Sequence, residues 1–190
     1  RASAQYDLYW EVTEGVPASA GVRSSYGLSE WAKVSEKYPP GLERMRERLR
    51  ECLAEFERTD HFGPLLDARA FDRVFGSRVA IDLTVRLHAA GSPLARTAVF
   101  CLWRDLLEAG HEDVVAEGIQ DVERYYAPMV GLVDALVRMK RRGYPSLDVE
   151  YGKKRFRDDV RLLLRTLEVA GRDDERAALE ARARRDAESR

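Results

Sequence analysis

The chain has 190 residues, with 32 basic and 33 acidic side chains and a formal net charge of −1. A hydrophobic fraction of 45% supplies a buried core without disulfide or metal staples, and the near-zero charge excludes a generally basic coat protein for nucleic acids. No apolar run approaches the roughly 20 residues of a membrane-spanning helix, so we expect no membrane partner.

Residues 1–27 differ from the rest of the chain. Tyr6, Leu8, Trp10 and Val12 alternate with polar neighbours, which predicts a half-buried strand, and the Gly, Ser, Ala and Pro-rich stretch that follows predicts a linker. A lone strand has no ladder partner in a helical chain. We therefore predict an extended N-terminal arm, with Tyr6, Leu8 and Trp10 as candidate partner-binding residues.

Helical periodicity runs through residues 28–171 and predicts one helical domain. Pro39 and Pro40 open a long helix whose apolar residues recur at steps of three and four, and Gly76 ends the shorter helix after it. Residues 79–87 alternate strictly and fit either a strand or a buried helix. We favour the helix because the neighbouring segments are helical.

Two further helices have proline near their start and glycine near their end. Pro93 and Gly110 bound the first, and Pro128 and Gly143 the second. The prolines are 35 residues apart and the glycines 33, a period that suits α-hairpin repeats and antiparallel bundles equally. The predicted fold is all-α, an antiparallel bundle or short α-hairpin stack of about seven or eight helices.

The last segment, residues 172–190, is almost entirely Arg, Glu, Asp and Ala. It predicts an exposed charged helix or tail with too little apolar surface to pack strongly. The predicted domain organisation is therefore an arm and linker (1–27), a helical domain (28–171) and this C-terminal segment.

Charge is segregated in one place, residues 138–157, which we call the basic segment. It holds eight basic and two acidic side chains. Cations at the end of a helix are explained by its dipole, but those we expect at the start of the next helix cost about 0.3–1 kcal/mol each and suggest a functional reason. The predicted anion-binding residues are Arg141, Arg142, Lys153, Lys154, Arg155 and Arg157, with Tyr144 and Tyr151 available to stack on bases. The alternative is that these cations pair with carboxylates and that the aromatic residues are core.

Catalytic and metal-binding motifs are incomplete. His111-Glu112 begins like HExxH, but Val115 stands where the second histidine is required. Glu108 and His111 have the spacing of one di-iron half-motif, and a di-iron bundle requires two. Gly152-Lys153-Lys154 lacks the first glycine and the hydroxyl of a P-loop. We therefore expect no metal and no cofactor.

One spacing resembles that of HEPN-type ribonucleases, which are α-helical. Arg104 and His111 are separated by six residues, within the Arg-x(4–6)-His pattern of that family. The resemblance implies a cation that holds the scissile phosphate and an imidazole that transfers the proton. Gly110 departs from the pattern, because it puts the two residues on different helices. The alternative makes Arg104 a helix-surface residue and His111 a first-turn residue.

These observations favour a non-catalytic helical interaction module, a subunit or domain of a larger assembly. Its partner is another protein or a second copy of the chain. The alternatives are a nucleic-acid-binding protein that holds RNA or DNA through the basic segment, and a HEPN-like metal-independent ribonuclease. The two cysteines, Cys52 and Cys101, are far apart and form no CxxC motif, which predicts a reducing cytoplasmic environment.

Overall fold

A computed structural model describes residues 2–13, 23–144 and 148–188, and every regular element in those ranges is helical. The all-α prediction is confirmed, with ten α-helices in the described ranges rather than seven or eight. None of these helices combines the length and the apolar character needed to cross a membrane. The helices are α1 (Ala2–Val12), α2 (Leu28–Ser35), α3 (Pro39–Thr59), α4 (Phe62–Phe75), α5 (Val79–Ala89), α6 (Leu94–Glu108), α7 (Glu112–Gly118), α8 (Val122–Arg141), α9 (Val149–Val169) and α10 (Asp173–Glu188); a π-helical turn, Arg23–Gly27, precedes α2.

The chain divides into two compact units, Arg1–Leu102 and Trp103–Arg190. In the first unit, α1 packs on α2 and α3, and α4 packs on α2, α3 and α5. In the second unit, α9 is central and packs on α7, α8 and α10. The domain limits at residues 27 and 171 stay predictions.

The strand predicted for residues 6–12 is wrong, because these residues belong to α1. Ser3, Asp7 and Trp10 are spaced by four and three residues and therefore share one helix face. Trp10 is buried, with its ring centroid 4.7 Å from that of Phe71. Trp31 Nε1 donates to Ser3 Oγ at 3.0 Å. The alternation in the sequence was compatible with a strand, but burial follows the helical period. Most of the predicted linker, residues 14–22, lies outside the described residues.

Gly41 permits the close approach of α1, α2 and α3. A Cβ atom at this position would lie 2.6 Å from Ser3 Oγ and 2.7 Å from Ser35 Oγ. These separations are too short for any larger residue unless the two hydroxyls rotate away or a helix moves. Gly41 therefore sets how closely the N-terminal helix packs.

The helix predicted for residues 79–87 is confirmed as α5. Ala80, Leu83 and Thr84 are its buried residues, at helical spacing. The Asp72 carboxylate accepts a hydrogen bond from the Ala80 backbone N–H at 2.7 Å and so satisfies a donor in the first turn.

In the second unit, α8 begins at Val122, whereas the predicted start was Pro128. Asp121 caps the helix, because its Oδ1 accepts from the Glu123 backbone N–H at 2.9 Å. Pro128 lies inside the helix. Because proline is common in the first turn of a helix, the predicted start was placed too late in the chain, after the aspartate that caps the helix.

Helix α9 also begins earlier than expected, at Val149. Asp148 Oδ1 accepts from the Tyr151 backbone N–H at 2.9 Å and caps it. Gly152 lies against α8: a Cβ there would meet Leu136 Cδ1 at 2.4 Å. The start of α9 is therefore held close to the last turns of α8.

The C-terminal segment forms α10, which packs more firmly than its composition suggested. Leu179 and Ala183 are buried. Tyr126 donates its hydroxyl hydrogen to Asp186 at 2.6 Å, and the Arg182 guanidinium lies 4.8 Å from the centre of the Tyr126 ring. Two buried apolar side chains and two contacts with Tyr126 of α8 thus hold a highly charged helix in the second unit.

Candidate functional site

The basic segment forms the end of α8 and the first half of α9, joined by a short loop of which residues 145–147 lie outside the described residues. Lys153 is the fifth residue of α9 rather than a residue of its first turn. The helix dipole acts mainly within the first turn, so the dipole cost expected for these cations does not apply. Another reason is needed to regard them as functional.

That reason lies in which cations have carboxylate partners. Lys153 Nζ lies 3.4 Å from Glu150 Oε1, and Arg155 Nε lies 3.8 Å from Asp159 Oδ2. The other cations of the basic segment have no carboxylate within 4.0 Å in the described part of the chain. We call them the uncompensated basic surface: Arg138, Lys140, Arg141, Arg142, Lys154 and Arg157, all exposed.

Helix α3 shows that an arginine-rich composition does not by itself leave cations uncompensated. Each of its five arginines forms an ion pair with a carboxylate. Most of these carboxylates lie one or two turns away on the same helix, at 2.6–3.5 Å. At the end of α8, the cations of the last turn have no carboxylate within 4.0 Å in the described part of the chain, so their charge is directed to solvent.

The aromatic residues of the basic segment divide into two groups. Tyr144 and Tyr151 are 55% and 59% exposed. The alternative prediction, that they are core residues, is therefore wrong for these two. Phe156 is buried, with its ring centroid 5.9 Å from that of Tyr126. Two exposed aromatic rings therefore accompany the uncompensated basic surface.

Arg104 and His111, the candidate ribonuclease residues, are in different settings. Arg104 Nη1 lies 3.0 Å from Asp159 Oδ1, and the two side chains are only 19% and 10% exposed. His111 is the residue before the first turn of α7 and is half-buried. Burial raises the pKa of Asp159, and the positive charges of Arg104 and Arg155 offset this only in part. The Arg104 guanidinium is thus held beside a carboxylate within the second unit.

The three candidate partner-binding residues of α1 also differ. Trp10 is buried against Trp31 and Phe71, so this chain itself fills its contact surface. Tyr6 is half-buried, and Leu8 is 58% exposed. A partner-binding role at this helix stays a prediction, and its accessible part is centred on Leu8.

Sequence reasoning missed an exposed apolar stripe on α8. Pro128, Leu132, Ala135 and Met139 are spaced by four, three and four residues. Leu132 is 45% exposed and Met139 is 41% exposed. A second set of apolar residues interleaves with the stripe in the sequence and fills the core: Tyr125, Tyr126, Met129 and Val133. The existence of two overlapping helical sets was the signal that could have revealed it.

The cavities and polar clusters of the described ranges do not indicate a class of ligand. No group of three or more His, Cys, Asp or Glu side chains there is arranged to hold a metal ion. An open cavity of about 630 Å³ in the first unit is lined by both signs of charge, including Lys33, Glu36, Arg69 and Arg73. This mixture selects no class of ligand.

Comparison with protein-family models, with curated proteins and with solved structures gives no match to this chain. The candidate site therefore depends on the chain's own residues. The uncompensated basic surface, with its two exposed tyrosines, is the feature that its geometry singles out.

Proposed function

We propose that this protein is a non-catalytic helical interaction module, a subunit or domain of a larger assembly, which binds an anionic partner through the uncompensated basic surface. The observation that carries the proposal is that none of these six exposed cations has a carboxylate partner among the residues that the structure describes. Clustered charges of one sign speed association with an oppositely charged surface and fix its orientation.

The position of the cations supports this proposal. Arg138, Lys140 and Arg141 occupy the last turn of α8, where the helix dipole favours positive charge without a local carboxylate. The fold thus accommodates the cations while leaving them open to a ligand. Asp148 and Gly152, which fix the start of α9 against α8, keep both halves of the surface on one hairpin.

A second candidate function is nucleic-acid binding by the same surface. The exposure of Tyr144 and Tyr151 favours it, because aromatic rings beside cations are stacking platforms for unpaired bases. Stacking on a base contributes about 1–3 kcal/mol, which an acidic protein surface does not supply. Tyrosine substitution therefore separates the two candidates.

The test is charge reversal with a matched control. The pair Arg141→Glu and Arg142→Glu changes the net charge by the same amount as Arg50→Glu and Arg58→Glu on α3, where both arginines are already ion-paired. Polyglutamate and a single-stranded oligouridine serve as the two probes, with binding followed by fluorescence anisotropy at rising salt. We expect the first pair to weaken binding at least about tenfold and the control pair to change it far less.

Each result has one interpretation. Binding of polyglutamate that falls with salt and with the α8 reversal supports the protein-partner proposal. Binding of oligouridine that is also lost in Tyr151→Ala supports nucleic acid. If neither probe binds at low salt, or if the two reversals act equally, the uncompensated basic surface is not the binding site and the proposal fails.

The proposal also covers the architecture, the kind of partner and the location. We infer an antiparallel bundle or α-hairpin stack that works with a protein partner or by self-association, in a reducing cytoplasm. Support for the reducing location comes from the sequence, in which Cys52 and Cys101 are far apart and form no CxxC motif. We do not propose the ribonuclease, because the guanidinium that would hold the phosphate lies beside Asp159 and is only 19% exposed.

A further inference from the structure

Helix α8 carries two apolar faces. One face is buried in the second unit and contains Tyr126, Met129 and Val133. The other is the stripe of Pro128, Leu132, Ala135 and Met139, in which Ala135 is half-buried and the other three residues are exposed. An ordinary surface helix has a single apolar stripe and a polar outer face, so the second stripe needs an explanation.

The exposed faces of two other long helices are mostly charged. The exposed side of α9 presents Lys154, Arg161 and Arg165. Long helix α3 in the first unit presents ion-paired arginines and glutamates. The two exposed large apolar side chains of α9, Tyr151 and Val169, lie near opposite ends of that helix, whereas apolar residues recur at each turn along the outer face of α8.

The spacing of the stripe is that of a helix-docking seam. Steps of four, three and four residues keep side chains on one line along a helix, as in the seam of a coiled coil. Eleven residues separate Pro128 from Met139, which corresponds to about 16 Å or three turns. The stripe therefore matches one short helix in length and register.

Cations border one end of this seam. Arg138 follows Ala135 by three residues, and Arg142 follows Met139 by three, the spacing of neighbours on a helix surface. Both arginines belong to the uncompensated basic surface. A docked helix would therefore meet apolar contact in its middle and positive charge at its side, which selects acidic residues there.

We infer that the exposed stripe of α8 docks an amphipathic, acidic helix of about three turns from a partner protein. This inference rests on the proposed function and specifies the chemistry of the partner. The apolar face of the partner covers Leu132 and Met139, and its flanking carboxylates pair with Arg138 and Arg142.

Substitution of Met139 by Lys separates docking on the stripe from attraction by charge alone. The change adds a cation, so a purely electrostatic site binds an acidic peptide more tightly. A docking stripe loses its apolar contact, and binding weakens about tenfold. Val169→Lys is the matched control, because Val169 is a 51% exposed apolar residue of the same unit that lies outside the stripe.

The probe is a synthetic peptide of about four turns with leucines spaced by four, three and four residues and glutamates beside them. A second peptide has the same composition with its leucines dispersed around the helix. We expect the patterned peptide to bind at least about tenfold more tightly than the dispersed one, and Met139→Lys to abolish that difference while Val169→Lys leaves it intact. Leu132→Lys repeats the test at a second position, and far-ultraviolet circular dichroism verifies the helical content of each variant.

Several results overturn the inference. Equal binding of the two peptides, or tighter binding by Met139→Lys, shows attraction by charge alone and leaves the proposed function standing. Binding of polyglutamate without binding of the patterned peptide has the same meaning. If neither peptide nor polyglutamate binds, the proposed function fails as well. A dimer in light scattering that Met139→Lys disperses shows that a second copy of the chain, rather than an acidic partner, covers the stripe.

Discussion

Replacing Arg104 by Met and Asp159 by Leu together removes a buried ion pair that joins α6 to α9 in the second unit. The two charged atoms are 3.0 Å apart, an attraction of about 5.5 kcal/mol at an effective dielectric constant of about 20. Burial of each ion costs several kcal/mol. Neither Arg104 Nη1 nor Asp159 Oδ1 has a hydrogen-bond partner of good geometry, so the attraction does not offset the burial. We expect the double variant to be more stable than the parent by about 1 kcal/mol.

Each single substitution is expected to destabilise the protein. Asp159→Leu leaves a guanidinium that cannot lose its proton, and the expected cost is about 3 kcal/mol. Arg104→Met costs less, about 2 kcal/mol, because the Asp159 carboxylate keeps Arg155 Nε at 3.8 Å. The sum of the single effects and the effect of the double variant therefore differ in sign.

Urea denaturation at pH 7 measures these differences, with stability taken from the midpoint at an unchanged slope. If the free energy of unfolding of the double variant is lower than that of the parent by more than about 1 kcal/mol, the ion pair is net stabilising and the reasoning is refuted. It is energetically unimportant if the single effects add to within about 0.5 kcal/mol.

The pH dependence supplies a second check on the same pair. The pKa of Asp159 is raised mainly by burial, so the folded state binds its proton more tightly than the unfolded state does. The contribution of this residue to stability therefore falls as pH rises from the unfolded value, near 3.9, through the raised folded pKa. Arg104→Met removes a charge that lowers this pKa, so the destabilisation should extend to higher pH. Asp159→Asn should remove this dependence.

Three further changes test the packing of α1, with unfolding in urea as the measurement. Trp10→Ala removes a buried ring that packs on Phe71 and should lower the free energy of unfolding by about 3–5 kcal/mol. The control Leu8→Ala, at a 58% exposed position, should change it by no more than about 0.5 kcal/mol. Equal effects of the two substitutions would contradict the packing of α1. Gly41→Ala places a methyl group against the Ser3 and Ser35 hydroxyls and should lower the free energy of unfolding by about 1–3 kcal/mol. An unchanged free energy would mean that the hydroxyls or α1 can move aside at little cost. Burial alone would raise the pKa of Asp7, but hydrogen bonds from Arg44 and Arg48 outweigh it and lower the pKa, so Asp7→Asn should cost about 1–2 kcal/mol at pH 7. That cost should disappear as pH falls through the folded pKa, below about 3.9, and a cost that persists in acid would exclude the ion pairs as its origin.

Local signals in the sequence were sufficient for much of the fold. The start of α3 at Pro39 follows from the proline pair and the apolar periodicity after it, which act within a few residues of each other. The ends of helices at Gly76 and Gly143 follow likewise, because both adopt the positive φ that favours glycine. The all-α class needed nothing more than these local patterns.

Local signals misled where two of them competed. Residues 6–12 alternate like a strand, yet their helical face is the one that fits against Trp31 and Phe71. Pro128 resembles a helix start, but Asp121 caps the helix before it. In each case contacts or caps outside the pattern decided the outcome.

The basic segment itself was visible from charge counting, because charge is a property of composition. Which of its cations are free to bind was decided only by tertiary structure. Arg155 and Arg157 are two residues apart, but helical geometry turns the first toward Asp159 and leaves the second exposed, with no carboxylate within 4.0 Å among the described residues. The exposed stripe of α8 has the same origin, since the sequence contains both apolar sets and only the packing of α9 and α10 determines which one is buried. The sequence determined the helices and the charge, and long-range packing decided which side chains remain available to a partner.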